Sequence, residues 1–276
     1  KEQVAIKLYH KAGKTDSQIQ AFKTEIEIIK FCNHENIVKF IEVFRSNKPY
    51  PTLNIVMEYA DGGDLNKAIK EQQKLHTFFP ETKILGWFCQ ICLGVKHIHS
   101  KKILHRDLKS GNIFLTNEGI VKIGDFGIAK SLGNTLEKAK TVIGTPYYLS
   151  PEIIMNKPYS FKSDIWSLGV LLYEMMALKM PFDAKSLPML SLKIIKGQYD
   201  SIPKLFSDDL KNLVKTLLNT DPGKRPSIND VLSKLIFLII FELPHSVLLT
   251  IFLLQFEILL LRNTSSFHAC NNILTS

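Results

Sequence analysis

The chain has 276 residues, a formal net charge of +9 and an ordinary globular composition with 45% hydrophobic residues. This length suffices for one large domain or two lobes with a sizeable core. Lysine and arginine are scattered, without a long block of like charge or a basic and aromatic alternation, which argues against a nucleic-acid groove and indicates a solvated basic surface. A weaker alternative is attraction to an acidic partner, such as a tubulin-like surface or an anionic membrane.

The four cysteines are too few for a disulfide framework in a chain of this length, so we expect a reducing compartment. Cys89 and Cys92 have the spacing of a redox or zinc pair. They fall within an apolar helical stripe, however, and core packing is the better interpretation. The sequence opens with Lys1 and carries no signal-like apolar segment there, which predicts that it starts inside a domain.

The first part of the chain predicts a strand followed by a helix. Residues 4–8 are a β-branched alternating run that places Ala5 and Lys7 on one face. Apolar residues then recur at helical spacing from 19 to 29, and Glu25 lies on that apolar face. Because a buried acid needs a partner, we expect Glu25 to pair with Lys7.

Two further strands are predicted at 37–44 and 53–58, and the segment 59–64 contains two glycines and two acids that suit a hinge opening into a helix at Leu65. A long helix from Pro80 with one apolar face follows. His97 and His99 lie near its end, where we expect packing or capping groups and not a metal site.

The stretch His105-Arg106-Asp107-Leu108-Lys109-Ser110-Gly111-Asn112, followed by Asp125-Phe126-Gly127, predicts a phosphoryl-transfer centre. Such chemistry needs a carboxylate to accept a hydroxyl proton, oxygen ligands for Mg²⁺ and a cation on the transferred phosphate. Asp107 is the candidate base, Lys109 the cation, and Asn112 and Asp125 the metal ligands. Two predicted strands, 113–116 and 120–123, form a hairpin that brings Asn112 and Asp125 side by side.

The region after Gly127 changes character twice. Residues 128–150 are polar and irregular, which predicts a mobile loop whose conformation is set by modification. Beyond Pro151 the pattern is helical, with a buried helix starting at Ser163–Asp164, an amphipathic helix capped by Ser207 and another opening at Ser227.

Residues 235–261 are almost entirely aliphatic and aromatic, interrupted near Pro244. Three interpretations stay open for this tail. It is a membrane helix, although the interruption leaves runs shorter than the roughly 20 residues that a span needs. It is a partner-binding or interfacial helix. In the third interpretation, the tail is not a sequence that evolution has selected and stems from an inaccurate gene model.

From residue 1 to about 234 the chain resembles a eukaryotic protein kinase, and within kinases it looks most like the NIMA-related serine/threonine family. The motifs that carry the resemblance are WFCQIC at 87–92, KILHRD at 102–107, NIFLT at 112–116 and IGTPYYLSPE at 143–152. The resemblance implies a bilobal α+β fold, with an incomplete N-terminal β-lobe at 1–59 and a mainly helical lobe at 60–234. The apolar tail at 235–276 lies outside the resemblance. It also implies ATP and Mg²⁺ as cofactors, protein serine or threonine hydroxyls as substrates, and a cytoplasmic, centrosomal or ciliary location. The charge pattern predicts no nucleic-acid partner, and a membrane contact would be made only through 235–261.

The resemblance also assigns roles residue by residue. Lys7 would bind the α- and β-phosphates and pair with Glu25. Contacts to adenine would come from the gatekeeper Met57, from the hinge residues Glu58, Tyr59 and Ala60, and from Ala5 and Phe114. A stacked apolar spine would contain His105, Phe126, Ile29 and Phe40. Asp164 would hold the backbone of the catalytic loop, and Arg225 would pair with Glu152.

Regulation is implied by the same resemblance. Lys109 with Thr145 fits a serine/threonine kinase, and Thr141 occupies the position of the activating phosphate, which would pair with Arg106 and Lys130. The sequence carries no Gly-rich loop before Lys7, and its tail differs from the family. These departures predict weak ATP binding and leave a non-catalytic scaffold with the kinase fold as the alternative.

Overall fold

A computed structural model of the chain describes residues 3–10, 15–46, 52–125 and 146–242, except for the side chains of residues 17–19, 21, 25 and 240–242. The chain divides into two compact units, Lys1–Lys234 and Leu235–Ser276. The first unit contains every described candidate site residue. Its architecture is mixed, with a small antiparallel sheet followed by a mainly helical part, as the sequence predicts for the fold class.

The sheet is made of β1 (Val4–His10), β2 (Phe40–Ser46) and β3 (Thr52–Glu58), in the order β1-β3-β2. The central strand β3 is the most buried, since both of its edges are paired. Ala5 lies opposite Met57 in the register, so the two are neighbours at the end of the sheet that leads into the predicted hinge.

Helix α1 (Asp16–Phe31) packs against this sheet through Phe22, Ile26 and Ile29, which are buried as the helical period predicts. The ring of Tyr9 on β1 stacks on Phe22 with 4.0 Å between centroids. Helix α1 is therefore fixed to the strand that carries Lys7.

The strand predicted at 37–44 is partly wrong, because the ladder with β3 begins only at Phe40. Ile37 instead forms a parallel bridge with Ile123, and Val38 N donates to Ile123 O at 2.9 Å. The segment before β2 thus pairs with the hairpin next to the catalytic stretch.

The helical part begins with α2 (Leu65–Lys74) and α3 (Glu81–Ser100), followed by a hairpin of β4 (Ile113–Leu115) and β5 (Val121–Ile123). The predicted hinge acid Asp64 caps α2, since its side chain accepts from Lys67 N at 2.8 Å. Cys92 is buried and Cys89 half-buried in α3, which agrees with core packing.

The remaining helices are α4 (Pro151–Ile154), α5 (Phe161–Ala177), α6 (Leu187–Lys196), α7 (Asp208–Leu217) and α8 (Ile228–Glu242). The predicted start of α5 at Ser163 is wrong by two residues. Ser160 is the N-cap, and Ser163 is the third helical residue, whose hydroxyl accepts from Ser160 N at 3.2 Å in a capping box. Ser207 caps α7 as expected.

No helix in the described part of the chain is long and apolar enough to span a bilayer. Most of the apolar stretch 235–261 lies outside the described residues, so the three interpretations of the tail stay open.

Candidate active site

The predicted base, Asp107, is held by the two residues that were predicted to work beside it. Lys109 Nζ donates to Asp107 Oδ2 at 2.9 Å, and Asn112 Nδ2 donates to the same oxygen at 2.9 Å. Asn112 Nδ2 also donates to the Asp107 backbone carbonyl at 2.8 Å. These hydrogen bonds fix the orientation of the carboxylate. Because the acceptor is charged, they are stronger than hydrogen bonds between neutral groups.

The β4–β5 hairpin brings Asn112 and Asp125 together as the sequence predicts. Ile113 pairs with Ile123, and Gly124 N donates to Asn112 O at 3.0 Å, which closes the base of the hairpin. Asn112 Nδ2 lies 3.5 Å from Asp125 O. Gly124 has no room for a side chain, since an added Cβ would lie 2.7 Å from the ring of Phe114.

Lys7 reaches the same place from the sheet. Its Nζ contacts Asp125 Oδ1 at 2.7 Å, although the two residues are 118 positions apart. Asp125 has a φ of +52°, an uncommon backbone conformation for a residue with a side chain. The Glu25 side chain lies outside the described residues, so the Lys7–Glu25 pair stays a prediction.

Asp164 fixes the backbone that precedes Asp107. It is fully buried and accepts from His105 N at 3.0 Å, Arg106 N at 3.1 Å and His99 Nε2 at 2.8 Å. Burial alone would raise its pKa, but the hydrogen bond and charge of His99, together with the hydrogen bond from the Tyr159 hydroxyl, outweigh that effect and lower the pKa. Arg106 has a φ of +68°, and these bonds stabilise that strained conformation.

His105 connects the catalytic stretch to the hairpin in its neutral form. Its Nδ1 accepts from Asp107 N at 3.3 Å, so Nε2 carries the proton and donates to Gly124 O at 3.2 Å. Complete burial lowers the pKa of His105, which keeps the ring neutral. His99, expected to pack or cap, has the more specific role of binding Asp164.

A family model described as a protein kinase domain matches residues 1–237. The chain belongs to this family. Its similar curated relatives include serine/threonine-protein kinase Nek1 of Mus musculus, 49% identical over 80% of this chain and 18% of the relative, and Nek5 of Homo sapiens, 51% identical over 78% of this chain and 30% of the relative. A probable kinase nek3 of Dictyostelium discoideum is 50% identical over 75% of this chain and 19% of the relative. The chain thus spans less than a third of the length of each of these relatives.

At the predicted hinge, both carboxylate oxygens of Glu58 have partners. Lys122 Nζ on β5 contacts Glu58 Oε1 at 2.8 Å, and Lys39 N donates to Oε2 at 3.1 Å. The Lys122 side chain is only 11% exposed, and sequence analysis did not single it out. No sequence signal pointed to it, because a lysine between two apolar residues of a strand is expected to face solvent and its partner is remote in sequence.

The other residues predicted to contact adenine surround this corner of the kinase domain. Ala5, Met57 and Ala60 are half-buried, and Tyr59 is exposed. Phe114 on β4 forms an isolated bridge with Asp64, so the hairpin and the segment after the hinge are adjacent. Ala5, Met57 and the segment 58–60 thus lie at one end of the sheet, and the roles of all these residues stay predictions.

Glu152 and Arg225 form the buried pair that the resemblance implies. Arg225 Nη1 donates to Glu152 Oε1 and Nη2 to Oε2, both at 2.8 Å, and Ser163 Oγ donates to Oε1 at 2.7 Å. Burial opposes ionisation, but the hydrogen bonds from Arg225 and Ser163 outweigh it and lower the pKa of Glu152 to about 2. The start of α4 is thereby attached to the segment before α8.

Four predicted residues, Phe126, Lys130, Thr141 and Thr145, lie outside the described residues. A second cluster was missed by sequence analysis. Ser110 and Tyr148 both bind the buried carboxylate of Glu174 on α5. A signal for it existed, because a glutamate in a nearly all-apolar helix is expected to be buried and to need partners.

Proposed function

We propose that the chain is the catalytic domain of an ATP- and Mg²⁺-dependent protein serine/threonine kinase of the NIMA-related type. The observation that carries the proposal is the convergence of five side chains of the expected chemistry. Lys7, Asp107, Lys109, Asn112 and Asp125 form a connected set of contacts between 2.7 and 3.5 Å, although they come from three separate segments. A scaffold without catalysis has no need for this set.

Asp107 would orient the substrate hydroxyl and accept its proton as the phosphoryl group leaves ATP. Its Oδ2 is already held by Lys109 and Asn112, so the base does not have to be ordered when substrate binds. Lys109 would also stabilise the negative charge on the transferred phosphate, because its ammonium group lies beside the base.

The donor set at the end of the hairpin fits Mg²⁺. Asn112 uses its amide nitrogen for Asp107, so the oxygen Oδ1 is the atom that suits a metal, and Asp125 adds a carboxylate. Bound Mg²⁺ would neutralise phosphate charge. Lys7 would bind the α- and β-phosphates of ATP, exchanging its contact with Asp125 for contacts to the nucleotide.

The adenine ring would lie against Ala5 and Phe114, below the gatekeeper Met57, with backbone contacts to the hinge at 58–60. Lys122 and Lys39 fix the Glu58 side chain from opposite sides, which supports a defined position for the hinge backbone. Lys109 and Thr145 support serine and threonine as acceptors. We further propose a cytoplasmic location, without contact to nucleic acid.

Thr141 is the proposed activating phosphosite. The guanidinium Nε of Arg106 is buried and has no hydrogen-bond partner in the described part of the chain, so it is a suitable donor for a phosphate, together with Lys130. We expect Thr141→Ala to lower the rate of substrate phosphorylation by about tenfold or more and Thr135→Ala to lower it less. Equal rates for the two variants in a radiolabelled phosphate assay would remove this assignment.

Incorporation of labelled phosphate from ATP and Mg²⁺ into a generic basic protein tests the proposed function. Asp125→Asn should abolish turnover, whereas Asp208→Asn, at a carboxylate 93% exposed on α7, should not. The wild type and both variants are also measured with the Gly-rich loop of a relative added before Lys1. This addition removes weak ATP binding as a cause of inactivity. If the extended protein is folded, carries phosphate at Thr141 and is still inactive, the non-catalytic scaffold is the correct interpretation.

A further inference from the structure

Helix α6 exposes apolar side chains on one side while its other side is packed. Met189 and Leu192 are each more than half exposed, and Leu187 at the start of the helix is exposed as well. Leu190 and Ile194 of the same helix are buried. Met189 and Leu192 are three residues apart, so they are neighbours on the helix surface. The open side of α6 therefore presents an apolar strip to solvent, whereas exposed apolar residues that are scattered singly need no explanation.

The charged side chains along α6 all have the same sign. From residue 184 to residue 197 the only charged residues are Lys185, Lys193 and Lys196, and all three are exposed. Lys157 is also exposed and follows α4, which packs against α6. A basic surface of this kind attracts and orients an acidic partner.

An open cavity of about 320 Å³ adjoins the same helix. Lys193 of α6 lines it, together with the rings of Tyr147 and Tyr199 and the apolar residues Met180 and Pro181. The charged residues of its lining are two lysines and two aspartates, so their formal charges cancel. The volume is at the low end of the range for ligand pockets. The cavity therefore suits one bulky, uncharged side chain.

The walls of this cavity are held in place by buried neighbours. The ring of Tyr199 packs edge-on against the rings of Tyr173 and Phe182, with centroids 5.6 and 5.8 Å apart. Lys193 Nζ donates to Asp183 O at 2.6 Å, which ties α6 to the segment before it. A preformed cavity lowers the entropy cost of ordering the protein when a partner binds.

The cavity lies close to the proposed catalytic residues. Tyr147, which lines it, precedes Tyr148, whose hydroxyl accepts from Ser110 N at 3.1 Å. Ser110 directly follows Lys109, the proposed phosphate-binding lysine. A protein segment bound at the cavity therefore needs only a short further stretch of chain to present a hydroxyl to Asp107.

We propose that the open side of α6 and the adjacent cavity form a docking surface for a protein segment in which acidic residues flank one bulky apolar side chain. The acidic residues would face Lys185, Lys193 and Lys196, and the bulky side chain would enter the cavity. That this segment belongs to a phosphorylated substrate rests on the proposed kinase function, whereas its binding does not. An anionic membrane would also attract a basic helix with apolar residues. The cavity favours a protein segment, because a lipid surface does not require a preformed concave site.

The binding experiment uses the whole chain and a fluorescein-labelled peptide with one phenylalanine between two pairs of glutamates. A second peptide has glutamines in place of the glutamates. The α6 variant is Leu192→Ser/Lys196→Glu, and the cavity variant is Gln198→Trp, which places a large ring at an exposed residue of the lining. The matched control is Leu75→Ser/Lys74→Glu, which makes the same two changes at the end of α2, another ten-residue helix with a lysine in its last turn.

Fluorescence anisotropy without nucleotide measures the affinity. We expect the wild type to bind the glutamate peptide about tenfold or more tightly than the glutamine peptide, and this preference should shrink at high salt. The α6 variant and the cavity variant should each weaken binding of the glutamate peptide by about tenfold or more, and the control should stay within about twofold of the wild type. Circular dichroism checks that all variants are folded.

Turnover is measured with a basic peptide that contains one serine, either alone or joined to the glutamate peptide through a Gly-Ser linker. For the wild type, joining should lower the KM for the peptide about tenfold and leave the KM for ATP unchanged, because docking adds binding that does not change in the transition state. The α6 variant should lose this difference and phosphorylate the unjoined peptide as the wild type does.

The outcomes separate docking from catalysis. Binding that is lost in the α6 and cavity variants and kept in the control supports the docking surface even if no peptide is phosphorylated, which would count only against the proposed function. A wild type that does not bind the glutamate peptide, or a control that weakens binding equally, overturns the docking surface. So does a folded Gln198→Trp variant that binds like the wild type while the wild type, but not the α6 variant, sediments with phosphatidylserine–phosphatidylcholine vesicles, since that result assigns α6 to a membrane.

Discussion

Two buried glutamates in the helical part of the molecule have pKa values that are shifted in opposite directions. Glu152 is 4% exposed and faces a guanidinium in bidentate contact, and its pKa falls to about 2. Glu174 is 3% exposed and receives hydroxyl hydrogen bonds, and its pKa rises to about 7. Equal burial therefore gives opposite shifts, because the sign is set by whether a cation replaces the lost water.

The two sites also differ in what they connect. Glu152 attaches the start of α4 to Arg225, far from the predicted base, and its ionised form stabilises the fold. Glu174 attaches the turn beside Lys109 to Tyr148, and its ionised form costs stability at neutral pH. The comparison teaches that a strong pKa shift alone does not identify a functional carboxylate, since its sign and its partners have to be considered together.

The largest expected effect on stability comes from removing the guanidinium group of Arg225. Arg225→Met leaves Glu152 buried without its partner, and we expect the free energy of unfolding at pH 7 to fall by about 3 to 5 kcal/mol. The double variant Glu152→Leu/Arg225→Met should recover most of that loss, because it removes both charges. Urea unfolding followed by circular dichroism measures both, and a single variant as stable as the double variant would contradict the electrostatic account.

The acid dependence of the Glu152 pair comes next. The pKa of Glu152 is about 2 in the folded protein and near 4.5 when unfolded, so its stabilisation is complete above pH 4.5 and is lost as the pH falls towards 2. The stability difference between wild type and the Glu152→Leu/Arg225→Met variant should shrink by about 3 kcal/mol over that window. A difference that stays constant from pH 5 to 2 would show that the folded pKa is not depressed.

For Glu174 we expect the reverse dependence of stability on pH, in a different pH range. Its folded pKa, about 7, lies above the unfolded value near 4.5, so the folded state holds the proton longer and stability falls as the pH rises from 4.5 to 7. Relative to Glu174→Gln, the wild type should lose about 3 kcal/mol across that window and nothing further above it. Parallel curves for the two proteins from pH 4.5 to 8 would be the contrary result.

Sequence reasoning found the Glu152 site and missed the Glu174 site for a physical reason. The motif that ends in Glu152 resembles a family pattern with a known partner, whereas Glu174 stands alone in an apolar helix and its partners are 26 and 64 residues away. The convergence of the proposed catalytic side chains was predictable because the chemistry requires their types and a short hairpin fixes their spacing. Contacts such as Lys122 with Glu58 depend on tertiary packing, which periodicity does not encode.

Helix α6 was not singled out within the region predicted to be helical, for a related reason. Leu187, Met189 and Leu192 are exposed, while Leu190 and Ile194 are buried, so apolar residues lie on both faces and the sequence has no clear helical period. The buried helix α5 was recognised because it is apolar on all sides, but its start was placed at Ser163 because capping by Ser160 is a local geometric detail.

The smallest expected effect compares the serine that each glutamate binds. Ser163→Ala removes a hydroxyl donor to an ionised Glu152 and half of the α5 capping box, so it should cost about 1 to 2 kcal/mol of unfolding free energy at any pH from 5 to 8. Ser110→Ala removes a donor to Glu174 that matters most when that carboxylate is charged, so its cost should be about 1 kcal/mol at pH 8 and smaller at pH 5. Chemical denaturation at both pH values measures the difference. If Ser110→Ala costs as much at pH 5 as at pH 8, Glu174 has the same charge at both, and the contrast between the two buried carboxylates is wrong.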